Sequence, residues 1–203
     1  MYARIAFFEG GDATTAETVR RLAKEQFLPR LKGFPGFAGV IDMGQTETGK
    51  GVSIVLFDSK EGLENGDREL NAMSPPPEMG QIRRTAVEKY EVVMQDVHDA
   101  AAARMSRLEG SPEGIDEGIR VAEESIFPQA RQLEGFRGVL SLVDRSSGRT
   151  MILTLWESTE AMQRSEEQAN RLRAQAAEAG GETITGVERY EIATLEVPAG
   201  IRR

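Results

Sequence analysis

The stretch GFRGVLSLVDRSSGRTMILTLWESTEAM, from Gly135 to Met162, decides the fold. Two apolar runs flank a polar turn that contains Gly148, and this pattern predicts a pair of antiparallel strands. Ser158 follows the second run and is of the residue type that helices favour at the N-cap, so we predict that a helix starts there. Ninety-nine positions earlier, from Gly36 to Leu63, the chain reads GFAGVIDMGQTETGKGVSIVLFDSKEGL. The two stretches share glycines, apolar positions and the serine, so the chain contains the same strand–turn–strand–helix unit twice.

The elements on either side of this unit are repeated as well. A short apolar strand and a helix precede it in each half, and the last strand, VEKYEV from Val87, returns as VERYEI from Val187. Both halves therefore have the order β-α-β-β-α-β, which is typical of a ferredoxin-like sheet with two helices on one face. We predict an α+β fold of two tandem ferredoxin-like (βαββαβ) modules, the first over residues 1–97 and the second over residues 98–203.

The second helix of each module has a different predicted character. Gly62 and Gly66 lie inside it in the first module, where three prolines at 75–77 follow, so we expect a weak helix there. In the second module we predict one longer helix that starts at Ser158 and ends at Gly180.

The third strand of each module is apolar on one side throughout and mixed on the other, which indicates that both of its faces are covered. Its apolar side comprises Val52, Ile54 and Leu56 in the first module and Met151, Leu153 and Leu155 in the second. Helices cover one face, and the sheet of the other module is the obvious cover for the second. We therefore expect a fused pseudo-dimeric α+β barrel, an intramolecular pseudo-dimer.

The composition limits the classes of partner and of chemistry. The 203 residues carry a formal net charge of −8, which does not provide the basic surface that nucleic acid or anionic lipid requires. No apolar run approaches the length of a membrane span, and the start of the chain lacks a signal-peptide pattern. The chain has no cysteine and one histidine, His98. We expect a cytoplasmic protein without a metal site, a nucleic-acid partner or a membrane partner.

The motif GFRGV at Gly135, followed by WESTEA at Trp156, resembles the antibiotic-biosynthesis-monooxygenase (ABM) type of dimeric α+β barrel domain. The final VERYEI is similar to the last strand of that family, and the first module has FDS at Phe57 in place of WES. Members usually pair two chains to close the barrel. The resemblance implies a fused version that carries its own partner, and it leaves open whether two such chains form a further homodimer.

The resemblance also implies a ligand cleft between the sheet and the helices of a module. Some members oxygenate anthrones or hydroquinones without metal or flavin, and others bind and degrade haem. The haem branch carries an Asn on the first strand, and a Trp and a His on the second helix. This chain has none of these at the matching places, and His98 lies in the connector. No cofactor is therefore expected.

Eight side chains are candidates for lining the cleft, although each also has an ordinary structural explanation as a core, rim or surface residue. They are Trp156, Thr154, Tyr190, Tyr90, Arg104, Arg4, Asn170 and Asn71. The sequence contains no phosphate-binding loop, nucleophile elbow or His/Cys metal spacing, and it assigns no catalytic residue.

Two functions of different class remain. The first is a cofactor-independent monooxygenase acting on a small aromatic substrate of the hydroquinone or anthrone type. Such a reaction needs an apolar, dry site with a few donors for the substrate anion. The alternative is a non-catalytic α+β barrel protein that binds a small apolar or aromatic ligand or has a structural role. A closed apolar cleft with convergent donors near Trp156 and Tyr190 would favour the enzyme, and side chains filling that space in both modules would exclude it.

Overall fold

The computed structural model describes residues 1–74, 76–197 and 200–202. In these residues the chain forms two compact units. Unit 1 comprises residues 1–90 with 192–197, and unit 2 comprises residues 91–191 with 200–202.

Unit 1 begins with a strand, an interrupted helix, a hairpin and a second helix. These elements are β1 (Tyr2–Glu9), α1 (Ala13–Leu22), a π-helical turn (Ala23–Phe27), α2 (Leu28–Lys32), β2 (Phe37–Gln45), β3 (Lys50–Phe57) and α3 (Lys60–Ala72). A 3-10 turn (Pro77–Met79) and the long strand β4 (Arg83–Val97) follow.

Unit 2 repeats this order. Its elements are β5 (Ala102–Glu109), a 3-10 turn (Pro112–Gly114), α4 (Ile115–Val121), a π-helical turn (Ala122–Ile126), α5 (Phe127–Ala130), β6 (Phe136–Asp144) and β7 (Arg149–Trp156). The remaining elements are α6 (Thr159–Arg164), α7 (Glu166–Gly180), β8 (Thr183–Glu196) and β9 (Gly200–Arg202).

Antiparallel pairing places the third strand of each unit in the middle of its sheet. β3 lies between β1 and β2, with Arg4 opposite Val55, and β7 lies between β5 and β6, with Arg104 opposite Thr154. Among the described strands, the hydrogen-bonded order is β1-β3-β2-β8-β5-β7-β6-β4-β9, and β4 also pairs with β1. This connectivity confirms the predicted α+β fold of two ferredoxin-like modules.

Strands β4 and β8 are longer than the sequence indicated. Residues 83–90 of β4 belong to unit 1 and residues 91–97 to unit 2, while β8 contributes residues 183–191 to unit 2 and its remaining residues to unit 1. The module boundary that the sequence predicts, after residue 97, coincides with the end of β4. The division of the chain into modules at this residue stays a prediction.

The first helix of each unit contains a π-helical turn just before a proline. The amide of Leu28 donates to the carbonyl of Ala23, five residues earlier, and Phe127 repeats this bond to Ala122. Pro29, the residue after Leu28, has no amide hydrogen to donate within a helix. The wider turn puts Pro29 at the start of a new α-helical segment, where a proline is tolerated because its amide would have no partner within that segment.

The second helix differs from expectation in unit 2 only. α3 contains Gly62 and Gly66, as predicted, and its predicted N-cap Ser59 accepts the amide of Gly62 at 3.1 Å. A Cβ at Gly66 would overlap the ring of Phe57, so this glycine provides packing space. In unit 2 the predicted single helix is wrong, since it breaks at Ser165 into α6 and α7.

Gly148 provides a test of the hairpin that decides the fold. Its φ is +74°, its carbonyl accepts the amide of Gly110 at 2.9 Å, and an added Cβ would overlap the carbonyl oxygen of Gly110. Gly181 has a similar φ of +62° but open space around it. We expect Gly148→Ala to destabilise the protein by more than about 3 kcal/mol, and Gly181→Ala by about 1–2 kcal/mol.

Urea denaturation followed by far-ultraviolet circular dichroism measures both variants. Equal losses of stability would contradict the close approach of Gly148 to Gly110, because backbone strain at positive φ is common to both positions.

Candidate functional site

One face of the unit 2 sheet gathers polar side chains beneath the second helix. Arg104 on β5 lies opposite Thr154 on β7 and opposite Arg189 on β8, so these three side chains share a face. Trp156, two residues after Thr154, lies on the same face and packs with Met162 of α6. We call this region the unit 2 cleft and define it by Arg104, Thr154, Trp156, Glu166 and Arg189.

The Arg104 guanidinium is the central group of the cleft and is only 1% exposed. Its Nη2 donates to the carbonyl of Met162 at 2.5 Å, to the hydroxyl of Ser165 at 3.2 Å and to a carboxylate oxygen of Glu166 at 3.0 Å. The break at Ser165 frees the Met162 carbonyl from the regular helical pattern. Among the described residues, no group accepts a hydrogen bond from the buried Nε or Nη1.

Trp156 is held against this cation. The guanidinium carbon of Arg104 lies 5.2 Å from the centroid of the indole ring, and Phe136 packs edge-on at 5.6 Å between centroids. The indole N–H donates to the hydroxyl of Thr154 at 3.1 Å, and that hydroxyl donates to the carbonyl of Arg104 at 3.4 Å. Thr154 therefore fixes the ring in position for a cation–π contact.

Glu166 and Arg189 lie at the rim of the cleft. Their side chains are 32% and 41% exposed, and both Nε and Nη2 of Arg189 donate to the Glu166 carboxylate. Burial alone would raise the pKa of Glu166, but Arg189 and Arg104 outweigh it and hold that pKa below its ordinary value. Burial lowers the pKa of Arg104, and Glu166 partly offsets this effect.

Unit 1 repeats the ionic part of the arrangement. Nε of Arg4 donates to Asp67 at 2.8 Å, Nη2 of Arg4 donates to the amide oxygen of Asn71 at 2.9 Å, and Lys89 pairs with Asp67. In the alignment of the two modules, the matching residues of unit 2 are Arg104, Glu166, Asn170 and Arg189.

The aromatic part of the arrangement differs between the units. Val55 and Phe57 stand where unit 2 has Thr154 and Trp156. The unit 1 face therefore lacks both the hydroxyl and the indole.

Tyr190 and Tyr90 lie on the opposite faces of their sheets. Tyr190 follows Arg189 directly along β8 and pairs with Ala103, so its side chain points away from Arg104 and Trp156. Tyr90 follows Lys89, which reaches Asp67 on the helix side, and the Tyr90 hydroxyl donates to Glu88 at 2.8 Å. Burial, followed by the nearby Glu188, raises the pKa of Tyr190, so this phenol stays protonated.

The sequence-predicted candidates therefore form separate groups. Trp156, Thr154 and Arg104 are in contact in unit 2, and Arg4 and Asn71 are in contact in unit 1. Asn170 is exposed and accepts from Nη1 of Arg173 at 2.6 Å.

The sequence analysis missed the acidic and basic partners of the buried arginines. A signal for them exists in the repeat, because Asp67 and Glu166 match in charge, as do Lys89 and Arg189. Among the described residues, no group of three or more His, Cys, Asp or Glu side chains is placed to hold a metal ion.

The side chains around Trp156 are shielded from solvent. Arg104, Trp156 and Met162 are all buried between the sheet and α6. A groove of ≈ 350 Å³ lies elsewhere in unit 2, beside α5 and α7, and contains none of the eight candidates. It is lined by Gln129, Gln132, Leu133, Gln168, Arg171, Leu172 and Gln175.

No protein-family profile matches the chain. An uncharacterised protein of Mycobacterium tuberculosis strain H37Rv, Rv2557, is 28% identical over 181 residues, covering 86% of this chain and 81% of the relative. A second uncharacterised protein of that strain, Rv2558, is 36% identical over 93 residues, covering 46% of this chain and 39% of the relative.

Solved structures match nearly the whole chain. A candidate monooxygenase from Fusobacterium nucleatum has a TM-score of 0.65 at 12% identity, covering 98% of this chain and 95% of its own. An anthrone oxidase-like protein has a TM-score of 0.63 at 17% identity, covering 99% and 92%. A Listeria monocytogenes ferredoxin-fold protein related to antibiotic biosynthesis monooxygenases has a TM-score of 0.54 at 8% identity, covering 93% of each chain.

Identities this low show a common fold. The chain has the ferredoxin-like fold of ABM-type α+β barrel proteins, as the motif resemblance implied. Across the described residues, no helix combines the length and the apolar character needed to cross a bilayer.

The hydrogen bond between Trp156 and Thr154 can be tested by introducing the residues that unit 1 has at the matching positions. Thr154→Val keeps the side-chain shape but removes the acceptor of the indole N–H, so we expect a loss of about 1–3 kcal/mol. The double variant Thr154→Val with Trp156→Phe has no unpaired indole. Its loss should therefore fall short of the sum of the two single losses by about 1 kcal/mol.

Thermal and urea unfolding of the three variants give the coupling energy, which is the difference between the loss of the double variant and the sum of the two single losses. Val55→Thr in unit 1 serves as a control, because it adds a hydroxyl where there is no indole to bind it. Strictly additive losses would show that the Thr154 hydroxyl does not support Trp156.

Proposed function

We propose that the protein is a cofactor-independent monooxygenase that acts on a small aromatic substrate of the hydroquinone or anthrone type in the unit 2 cleft. The observation that carries this proposal is the Arg104–Trp156 pair, a buried cation against an aromatic ring on the helix-facing side of the sheet. The fold is that of an anthrone oxidase-like protein, which supports the proposal. We further propose that the protein acts in the cytoplasm, in keeping with a chain without cysteine.

The proposed reaction requires few groups from the protein. A hydroquinone or anthrone loses a proton to give an electron-rich aromatic anion, and this anion reduces O₂ directly. For an anthrone, the reacting CH₂ carbon gives up four electrons and becomes a carbonyl, one oxygen atom of O₂ enters that carbonyl, and the other leaves as water. The site must favour the anion and keep bulk water away.

The cleft residues match these needs. Arg104 offers positive charge where the negative charge develops, in surroundings that strengthen the attraction because water is excluded. Trp156 and Phe136 provide flat apolar surface for an aromatic substrate. The rim pair Glu166–Arg189 is partly exposed to solvent. Unit 1 has neither the indole nor the threonine, so we assign the activity to unit 2.

The close packing in the cleft favours a second candidate function. Arg104, Trp156 and Met162 are buried, so an oxygenase must open this region to admit its substrate. A non-catalytic α+β barrel protein, which binds a small apolar or aromatic ligand or has a structural role, needs no such opening.

Oxygen uptake separates the two candidates. We expect the purified protein, free of metal and flavin, to consume O₂ with anthrones or hydroquinones faster than these compounds autoxidise. Trp156→Phe should lower the catalysed rate by about tenfold, which corresponds to about 1.4 kcal/mol and is within the range of a desolvated cation–π contact.

Phe57→Leu, at the equivalent position of unit 1, is the matched control and should keep the full rate. An oxygen electrode gives the rates, and circular dichroism confirms that each variant is folded. Autoxidation-level uptake across the panel would contradict the oxygenase and support the second candidate.

A further inference from the structure

We propose that the groove beside α5 and α7 is the contact surface of a homodimer. In this dimer, helix α7 of a second copy lies antiparallel in the groove, and the groove of the second copy holds α7 of the first. The groove shares no lining residue with the unit 2 cleft, so the inference does not depend on the proposed function.

The floor of the groove is apolar and fixed in position. Leu133 and Leu172 line it and are both only half-buried, whereas the other five lining residues are exposed. Leu133 also packs against the buried cluster of Ala102, Trp156 and Met162. The groove of ≈ 350 Å³ therefore presents partly exposed leucine surface, and covering this surface is favourable.

The walls of the groove carry hydrogen-bonding groups without net negative charge. Arg171 is the single charged lining residue, and its Nη1 donates to Glu167 at 3.0 Å on the same helix. The formal net charge of −8 makes most approaches of a second copy unfavourable, but this wall does not repel it. A glutamine amide both donates and accepts, so identical amides can pair with one another. The four glutamines are Gln129, Gln132, Gln168 and Gln175.

The α7 wall is complementary to itself. Gln168, Leu172 and Gln175 are separated by four and three residues, so they form one stripe along the helix, with the spacing by which one helix packs along another. If two copies of α7 lie antiparallel about a two-fold axis near Leu172, Gln168 of each copy faces Gln175 of the other. A contact in which the same patch serves both copies is what a two-fold dimer requires.

Unit 1 does not repeat this surface. Its helix α3 ends at Ala72, so the helical turns that carry Leu172 and Gln175 in α7 have no counterpart there. One such surface per chain closes in a dimer and predicts no larger assembly. In the alignment of the modules, the four glutamines are replaced by Arg30, Gly33, Glu69 and Pro76.

The size of the groove predicts a weak dimer. Seven residues line it, whereas a standard interface has about 20–30 residues on each side. We therefore expect a dissociation constant in the micromolar range and a monomer in dilute solution.

Sedimentation velocity of the full chain tests the proposal over concentrations from about 1 to about 300 µM. We expect the monomer to convert to a dimer within this range. Gln168→Glu combined with Gln175→Glu places like charges opposite each other at both ends of the stripe, so it should weaken the dimer at least tenfold. Gln168→Glu combined with Gln175→Lys places opposite charges there, so it should keep the original affinity or increase it.

The matched control is Gln26→Glu combined with Gln81→Glu. Both residues are exposed in unit 1, and the change in net charge equals that of the first double variant, so the dimer should keep its affinity within about threefold. Glutamate and lysine are good helix formers, and circular dichroism confirms that each variant is folded.

Each other outcome overturns the proposal. A monomer at every concentration shows that the groove does not bind a second copy. A dimer that tolerates the two acidic substitutions uses another surface. If the variant with opposite charges is as weak as the acidic one, the helices do not pair antiparallel about Leu172, and species larger than a dimer would contradict the closed two-fold contact.

Discussion

A buried guanidinium on the first strand is the constraint on which the arrangement of each unit depends. A cation cannot be removed from water at this depth unless carboxylate, carbonyl or hydroxyl groups come to it. In unit 2 the second helix brings Met162, Ser165 and Glu166 to Arg104, and in unit 1 it brings Asp67 to Arg4. The position of that helix over the sheet is therefore set by charge as well as by apolar packing.

The two units keep this ionic scheme and differ in what surrounds it. In unit 1 a glycine in an unbroken helix admits the Phe57 ring, and the arginine is bound by an acid and an amide. In unit 2 the matching position is Ser165, where the helix breaks and a main-chain carbonyl turns to the arginine. Unit 1 thus pairs its arginine with its own side chains, whereas Nε and Nη1 of Arg104 in unit 2 have no partner among the described residues.

The parts of the fold that depend on local rules were predictable from the sequence. Ser59 and Ser158 both cap helices as expected, since each accepts an amide from three residues further on. The hairpins followed from their alternation and turn glycines. The extra length of β4 and β8 was not predictable, because the end of a strand depends on the strands beside it.

The site was only partly predictable for a similar reason. Composition and the repeat pointed to Arg104, Thr154 and Trp156, and strand pairing brings them into contact. Pairing with Glu166 joins residues more than sixty positions apart, and no local pattern specifies it. Tyr190 was placed with Trp156 by its position in the repeat, but the alternation of side chains along β8 puts it on the other face.

The division of β8 between the units has a consequence for biosynthesis. Residues 192–197 complete unit 1, whose other residues are all in the first half of the chain, and β2 takes its second neighbour from β8. The ribosome makes residues 192–197 only after residues 91–191 of unit 2. The N-terminal unit therefore leaves the exit tunnel with the edge of β2 unpaired and exposed to wrong partners. Its maturation must wait until residues 192–197 have been made, by which time most of unit 2 has been made as well.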